Sequence, residues 1–196
     1  MSSDSQSNSS KISPSGPSTA SGLVRVTRSY LTLPSFGHLR RGKPPAAAAR
    51  LVRVPPGGVA EWRRLYAEIG APYHWHDRDE WTDVKLGQHL ARADVRAFRV
   101  QALLRKAPLD SAGFLELETH SDGTVEVVYL GLQERAQGIG LGRWLVAEAC
   151  DEARRMGADS VWLHTCTLDG PAALPNYLAR GFTVTRTEDY ETRLSP

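Results

Sequence analysis

The chain has 196 residues, of which 41% are hydrophobic and 23% are charged, with a formal net charge of +2. This composition is typical of one soluble globular domain with a core of its own. The small net charge gives no electrostatic case for binding nucleic acid, and no apolar stretch is long enough to span a membrane. We therefore expect neither a nucleic-acid partner nor a membrane partner.

The beginning of the chain differs in composition from the rest. Residues 1–21 are rich in Ser and lack the apolar centre of a secretory signal, so they are predicted to be a disordered tail. Residues 22–196 are predicted to be a single domain. The two cysteines, Cys150 and Cys166, form no CxxC pair, which favours reduced thiols in a cytoplasmic protein over a disulfide.

The first half of the domain begins with strand signals. Leu23–Leu33 alternates in part and is predicted as an edge strand, which either extends the sheet within one subunit or pairs across a dimer. A monomer and a homodimer therefore both stay open. A short strand at Ala49–Val54 is followed by helices predicted at Val59–Ile69 and at about Trp81–Ala93.

The second half predicts a mixed sheet. Strands are predicted at Val95–Leu104, Gly113–Thr119 and Val125–Leu132, and the dipeptide Asp122-Gly123 indicates a hairpin between the last two. Further elements are a helix at Leu141–Met156, a strand at Ser160–Thr165, a helix that begins at Asp169–Pro171, and a strand at Phe182–Arg186. A strand–helix–strand crossover after antiparallel strands predicts an α/β fold, with a central mixed antiparallel and parallel sheet and helices on both faces.

A glycine loop between a strand and a helix is the most informative feature. It reads Arg135-Ala-Gln-Gly138-Ile-Gly140-Leu-Gly142. Glycines at a helix N-terminus leave backbone N–H groups unobstructed, and the helix dipole favours negative charge there. The loop therefore predicts a phosphorylated ligand.

Two motifs in this order resemble a known family. The loop matches the pattern [Gln/Arg]-x-x-Gly-x-[Gly/Ala], and Ala173-x-x-x-Tyr177-x-x-x-Gly181-Phe182 follows it at the matching separation. Over about Leu51 to Arg193 the chain resembles the GNAT superfamily of acyl-CoA-dependent N-acetyltransferases, and its His164–Tyr177 string is similar to an uncharacterised bacterial subgroup. The resemblance implies acetyl-CoA as the co-substrate.

The resemblance also implies where the cofactor binds. The strand that enters the loop should bulge and part from its parallel neighbour, so that its open edge holds pantetheine. Gly131 fits such a bulge or, alternatively, close packing. At position 170 many relatives carry an Asn that contacts the cofactor, whereas this chain has Gly170. The implied cofactor-binding residues are Leu130, Leu132, Arg135, Gln137, Gly138, Ile139, Gly140, Leu141, Gly142 and Arg143.

Two residues are predicted to move protons. Glu126 should share a strand face with Leu130 and Leu132, where burial would raise its pKa toward that of a general base; a solvent-facing Glu is the alternative. The resemblance implies that Tyr177 is the general acid for the departing thiolate, and a core tyrosine is the alternative.

The segment Tyr73–Trp81 lies where the family binds its acceptor. Tyr73, Trp75 and Asp77 could hold a small polar amine, and Arg78 could bind a carboxylate, unless the segment only caps a helix and packs in the core. His164, at the end of its strand, is predicted to line the same cleft, and a buried histidine with its hydrogen bonds satisfied in the core is the alternative. His74-x-His76 has no third ligand at metal-binding spacing, so no metal is predicted.

The sequence thus predicts an N-acetyltransferase that transfers acetyl directly to a primary amine of a small metabolite or amino-acid-like acceptor. A protein or peptide N-acetyltransferase and a non-catalytic acyl-CoA-binding regulatory protein remain as alternatives. An open groove would favour the peptide, and a closed pocket would favour the metabolite.

Overall fold

The computed structural model describes residues 23–104 and 107–193. They form seven strands and four α-helices. The strands are β1 (Leu23–Leu33), β2 (Ala49–Arg53), β3 (Val95–Leu104), β4 (Ala107–Thr119), β5 (Thr124–Leu132), β6 (Ser160–Cys166) and β7 (Thr183–Arg193). The helices are α1 (Val59–Gly70), α2 (Asp83–Leu90), α3 (Leu141–Arg155) and α4 (Ala173–Ala179). The tail predicted at residues 1–21 lies outside the described residues.

The predicted mixed sheet is confirmed. Its strands lie in the order β2-β3-β4-β5-β6-β1-β7. β5 and β6 are the parallel pair, joined by the crossover through α3, and the other neighbours are antiparallel. At the β4–β5 hairpin, Gly123 has a φ of +82° and Asp122 Oδ1 accepts the Thr124 N–H at 3.0 Å.

The sequence predicts the first strand at the edge of the sheet, and this prediction is wrong. β1 pairs with β6 on one side and with β7 on the other. Both partner strands lie more than a hundred residues further along the chain. The local alternation of residues in β1 therefore gives no sign that these strands pair with it. Because both sides of β1 are paired within this chain, the argument for strand pairing across a dimer falls away.

Helices cover both faces, as predicted. α1 and α2 bury Trp62, Leu65 and Leu86 against one face of the sheet. On the other face, α3 and α4 bury side chains that include Leu145 and Tyr177. α2 is shorter than predicted and begins at Asp83, where the Thr82 hydroxyl caps it by accepting the Lys85 N–H at 3.2 Å.

β5 carries the irregularity that opens the sheet. Its register with β4 shifts so that Glu116 faces Tyr129 and Leu117 faces Val127, which leaves Val128 as the extra residue of a bulge. Its pairing with β6 ends at Val127. Beyond this point the two parallel strands separate, as the resemblance implied, but the bulge lies at Val128 rather than at Gly131.

Gly131 serves close packing instead. A Cβ at this position would lie 2.5 Å from Ile69 Cγ2 and 3.3 Å from the Trp75 ring. α1 and the segment that follows it therefore approach β5 more closely than any residue with a side chain would allow.

Candidate active site

A cavity of about 900 Å³ opens where β5 and β6 separate. Its walls are the free half of β5, the end of β6 and its loop to α4, the glycine loop, and the segment after α1. The middle of β1 and the end of β7 complete it on the far side. The cavity thus runs from the glycine loop, through the gap in the sheet, to the face covered by α1 and α2.

The glycine loop forms one end of this cavity. Gly138 and Gly140 have φ values of +76° and +88°, conformations that L-residues with a side chain rarely adopt. α3 begins directly afterwards at Leu141, so its unpaired N–H groups and the positive end of its dipole lie at the loop. This is the geometry of an anion site.

Most of the predicted cofactor residues lie on the cavity wall. These are Leu130, Leu132, Gln137, Gly138, Gly140, Gly142 and Arg143. Three others do not line it. Arg135 is exposed and donates from Nε to Gln133 Oε1 at 2.8 Å. Ile139 and Leu141 pack into the core, so that only their backbone belongs to the loop.

Two residues that the sequence did not single out line the same end. Arg180 follows α4. Burial lowers the pKa of Arg180, and the nearby positive charge of Arg143 lowers it further. Arg143 donates to the backbone carbonyls of Lys43 and Pro44, contacts that leave its charge uncompensated. Asn176 of α4 also faces the cavity, close to Gly142. The two arginines are suited to bind phosphate oxygens.

The Tyr73 ring lies next to Gly170. A Cβ at position 170 would lie 3.5 Å from the Tyr73 ring, so a larger side chain would compete for this space. The Tyr73 hydroxyl accepts a hydrogen bond from Gln137 Nε2 at 2.9 Å. Tyr73 therefore spans the cavity from the segment after α1 to the glycine loop and narrows it.

Glu126 lies beside the cavity and does not line it. The bulge at Val128 interrupts the alternation of β5, so Glu126 faces α1 and α2, while Leu130 and Leu132 contact the opposite core. Its carboxylate lies 3.1 Å from His120 Nε2, and 15% of the side chain is exposed. Burial raises the pKa of Glu126, against the opposing effect of the His120 hydrogen bond.

Tyr177 is a buried residue of α4, in edge contact with Phe182. Its neighbours on the helix, Ala173 and Asn176, line the cavity. Burial raises the pKa of the Tyr177 hydroxyl, followed by the effect of the Asp169 charge. Tyr177 itself is not among the residues of the wall, and because a tyrosine is already protonated near pH 7, the raised pKa makes its hydroxyl a weaker acid.

Asp77 and Asp169 are the acidic residues of the cavity wall, and Asp169 accepts a hydrogen bond from the Cys166 N–H at 2.9 Å, whereas Asp77 lies at the far end. Its carboxylate accepts hydrogen bonds from the hydroxyls of Tyr66, at 3.1 Å, and Tyr129. Trp75 packs against Tyr129, with ring centroids 4.9 Å apart. The side chain of Asp77 is 61% exposed. A carboxylate held in place among aromatic rings suits an ammonium group.

Arg78, by contrast, is not available to a substrate. Its side chain is 8% exposed, and its Nη1 lies 2.9 Å from Glu116 Oε1, which is fully buried. His89 Nε2 lies 2.9 Å from the same oxygen, and Trp62 Nε1 donates to the other one. The sequence prediction that Arg78 binds a substrate carboxylate is therefore wrong, because the carboxylate that it binds is that of Glu116 on β4.

His164 lines the cavity as predicted, on the face of β6 that it shares with Cys166. Its partner across the β1–β6 pair is Tyr30, whose ring it contacts edge-on. The side chain of His164 is exposed to the open cavity, but the surrounding protein still lowers its pKa through desolvation, and the Arg28 charge lowers it further, against smaller effects of Asp169 and Asp77. The imidazole is therefore neutral near pH 7 and able to accept a proton.

The residues that the structure describes contain neither a cluster of metal ligands nor a helix that could span a membrane. Within residues 23–104 and 107–193, no three His, Cys, Asp or Glu side chains converge as metal ligands, and the His74 and His76 rings lie 6.3 Å apart. None of the helices there combines the length and the apolar character needed to cross a bilayer. Cys150 and Cys166 are both free thiols.

Comparison with known proteins identifies the family. The model of the acetyltransferase (GNAT) family matches residues 59–182. A search of curated proteins gives no match.

Several solved structures share the fold. A GCN5-related N-acetyltransferase from Kribbella flavida has 22% sequence identity and a TM-score of 0.57, over 87% of this chain and 59% of that protein. Another from Sphaerobacter thermophilus has 15% identity and a TM-score of 0.62, over 89% and 54%. This chain thus spans little more than half of either protein.

A third similar structure is an aminoglycoside acetyltransferase from an uncultured soil metagenomic sample, in complex with sisomicin. It has 14% identity and a TM-score of 0.52, over 67% of this chain and 87% of that protein. The family match covers well over half of the sequence and contains both the glycine loop and Tyr177. The chain therefore belongs to the acetyltransferase (GNAT) family.

Proposed function

We propose that this protein is an acetyl-CoA-dependent N-acetyltransferase that acts on a primary amine of a small molecule. The observation that carries the proposal is the continuous cavity, which joins an anion site at one end to Asp77 and His164 at the other. Acetyl-CoA supplies an activated acetyl thioester. The glycine loop, Arg143 and Arg180 fit its phosphates, and the free edge of β5 fits the amides of its pantetheine arm.

In the reaction that we propose, the nitrogen of the acceptor forms a bond to the acetyl carbon and the carbon–sulfur bond breaks. The amine loses one proton and the departing thiolate gains one. Tyr177 donates the proton to sulfur, a role that the family match and its place beside the wall residues Ala173 and Asn176 support.

Two residues compete for the role of general base. The sequence predicts Glu126, which lies off the cavity wall and needs a water relay to reach the amine. The cavity favours His164, because it lines the site and its lowered pKa keeps the imidazole neutral. We therefore place His164 first. The amine proton would pass to an imidazole nitrogen, and Asp77 would stabilise the positive charge on either side of the transfer.

The shape of the cavity supports a small acceptor over a peptide. Tyr73 reaches across to Gln137, and Trp75 packs against Tyr129 of β5, so these side chains narrow the cavity rather than leave a wide groove along the sheet. The free thiols support a cytoplasmic location, where cysteines stay reduced. The pairing of β1 within the chain supports a monomer.

A non-catalytic acyl-CoA-binding protein is the second candidate, and Gly170 is the observation that favours it. The Tyr73 ring adjoins the position where many relatives contact the cofactor. Binding of acetyl-CoA without release of free CoA, over a broad panel of amines, would favour this candidate and contradict the proposed transfer.

The test measures release of CoA thiol with a panel of small amines and with peptides, in the wild type and in His164→Gln, Glu126→Gln and Tyr177→Phe. We expect His164→Gln to lower kcat by about 10²–10⁴-fold, the usual contribution of acid–base catalysis, and Glu126→Gln to change it by less than about fivefold. Tyr177→Phe should lower kcat with little change in acetyl-CoA affinity. The reverse ranking of His164 and Glu126 would restore the sequence prediction.

A further inference from the structure

An arginine on the cavity wall has no place in the acetyl-transfer chemistry. Arg28 lies in the middle of β1, where it pairs with Cys166 of β6 and with Glu188 of β7. Because paired residues of neighbouring strands point to the same face, Arg28 shares the face of Cys166 and His164. It lines the cavity together with Tyr190 of β7.

The guanidinium of Arg28 is positioned but incompletely bonded. Nη1 lies 3.3 Å from Glu188 Oε1, and Nη2 lies 3.4 Å from the Tyr190 hydroxyl, both at the long end for such contacts. Nε is buried and has no hydrogen-bond partner within the described part of the chain. Arginine has five N–H donors, so this group retains the capacity to bind a carboxylate through two of them.

Glu188 supports Arg28 and does not fill the site. It accepts a hydrogen bond from the Tyr30 hydroxyl at 2.8 Å and also lies 3.4 Å from Arg186 Nη1. Its charge is therefore shared between two arginines, and it is not among the residues of the cavity wall. A second cation on that wall, Arg193, adds to the positive character of this side.

The opposite charge lies across the cavity. Asp77 lines the other wall, where it accepts a hydrogen bond from Tyr129 of β5, and His164 lies on β6, which is between β5 and β1 in the sheet. The acceptor end thus offers a cation on one side, an anion on the other, and a neutral imidazole close to both. A molecule with separated positive and negative groups matches this arrangement.

We propose that the acceptor is a small amine that carries a carboxylate, as an amino acid does. Its carboxylate binds Arg28, and its amine lies at Asp77 and His164. This inference rests on the proposed function and names its substrate class. Arg28 is a specificity-determining residue under this proposal and takes no part in proton transfer.

The test compares three forms of one side chain: the amino acid, its carboxamide and the decarboxylated amine. Each is assayed for CoA release with the wild type, Arg28→Met, Arg28→Lys and Arg25→Met. Arg25 is the matched control, since it is on the same strand but 75% exposed and paired with Asp189. Saturating acetyl-CoA keeps the cofactor step constant.

We expect the wild type to prefer the amino acid over the amine in kcat/KM, and Arg28→Met to reduce that preference by about ten- to a hundredfold, mostly through KM. Arg28→Lys should retain part of it, and Arg25→Met all of it. Equal use of the three forms by the wild type, or an unchanged preference in Arg28→Met, would overturn the inference while acetyl transfer stands.

A binding measurement separates the two proposals. The thermal shift that each compound produces is recorded with CoA bound. A larger shift with the amino acid, lost in Arg28→Met, supports the carboxylate site even if no acceptor releases CoA, in which case the proposed function fails alone. Equal shifts with the amino acid and the amine contradict the carboxylate site, and turnover of peptides alone would do the same.

Discussion

Replacing Arg78 with Met tests whether this residue belongs to the core or to the substrate site. Its guanidinium is the positive partner of the fully buried Glu116, and it lies over the Trp81 ring, 4.4 Å from the centroid. Methionine preserves much of the packing volume and removes the charge. The carboxylate of Glu116 is then left with Trp62 Nε1 and His89 as its remaining partners.

We expect a large loss of stability. Breaking a buried ion pair from one side costs about 3–5 kcal/mol, because the other charge stays buried without compensation. A domain of this size is stable by about 5–15 kcal/mol, so the variant loses a large share of its stability. At a urea slope of about 2.5 kcal/mol/M, the unfolding midpoint falls by about 1–2 M.

The assay is urea unfolding followed by tryptophan fluorescence and by circular dichroism. Arg92→Met is the control, since its pairs with Asp94 and Glu118 lie at the surface and each should be worth less than about 1 kcal/mol. In Arg78→Met/Glu116→Gln the unpaired charge is also removed, so about half or more of the loss should be recovered. Native stability in Arg78→Met, together with a raised KM for the acceptor, would refute the core role.

Three further predictions concern the cavity. Gly140→Ala should weaken acetyl-CoA binding by about tenfold or more in calorimetry, because a positive φ costs a residue with a side chain about 1–2 kcal/mol and the new Cβ would clash with Arg143. Gly157 is the control, since it also has a positive φ, +87°, but has open space around it. Gly157→Ala should lose stability but keep its affinity for acetyl-CoA. The acid limb of kcat/KM should fall below the usual pKa of histidine, about 6.5, because desolvation lowers the pKa of His164, and its disappearance in His164→Gln checks the assignment; an unchanged limb would point to another group. Iodoacetamide should label Cys166, which lies on the cavity wall, and acetyl-CoA should slow this labelling. Burial raises the pKa of Cys150 to about 12, so the Cys166→Ser variant should stay unlabelled.

Local patterns in the sequence were sufficient for the order of the elements and for the glycine loop. The hairpin at Gly123 and the loop glycines follow from backbone requirements that a few adjacent residues express. The apolar spacing of α1 likewise reports one buried face, whatever packs against it.

The misplaced residues depend on partners far away in the chain. The bulge at Val128 changes the face that Glu126 presents, and no local signal marks it. The residues next to Arg78 in the sequence do not tell whether its side chain binds a substrate or Glu116. Glu116 lies 38 positions later, on β4. No role is predicted for Arg28 from the sequence, because β1 is predicted at the edge of the sheet and therefore away from His164.

The central place of β1 has a consequence for how the molecule is assembled. β1 and β7 are joined by contacts such as Arg25–Asp189, 164 positions apart. Contacts of such high sequence separation are among the slowest to form. During synthesis, the glycine loop and its helix emerge before β7, so this end of the cavity can fold first. The wall of the cavity that carries Arg28 and Tyr190 is completed only when the last strand pairs with the first.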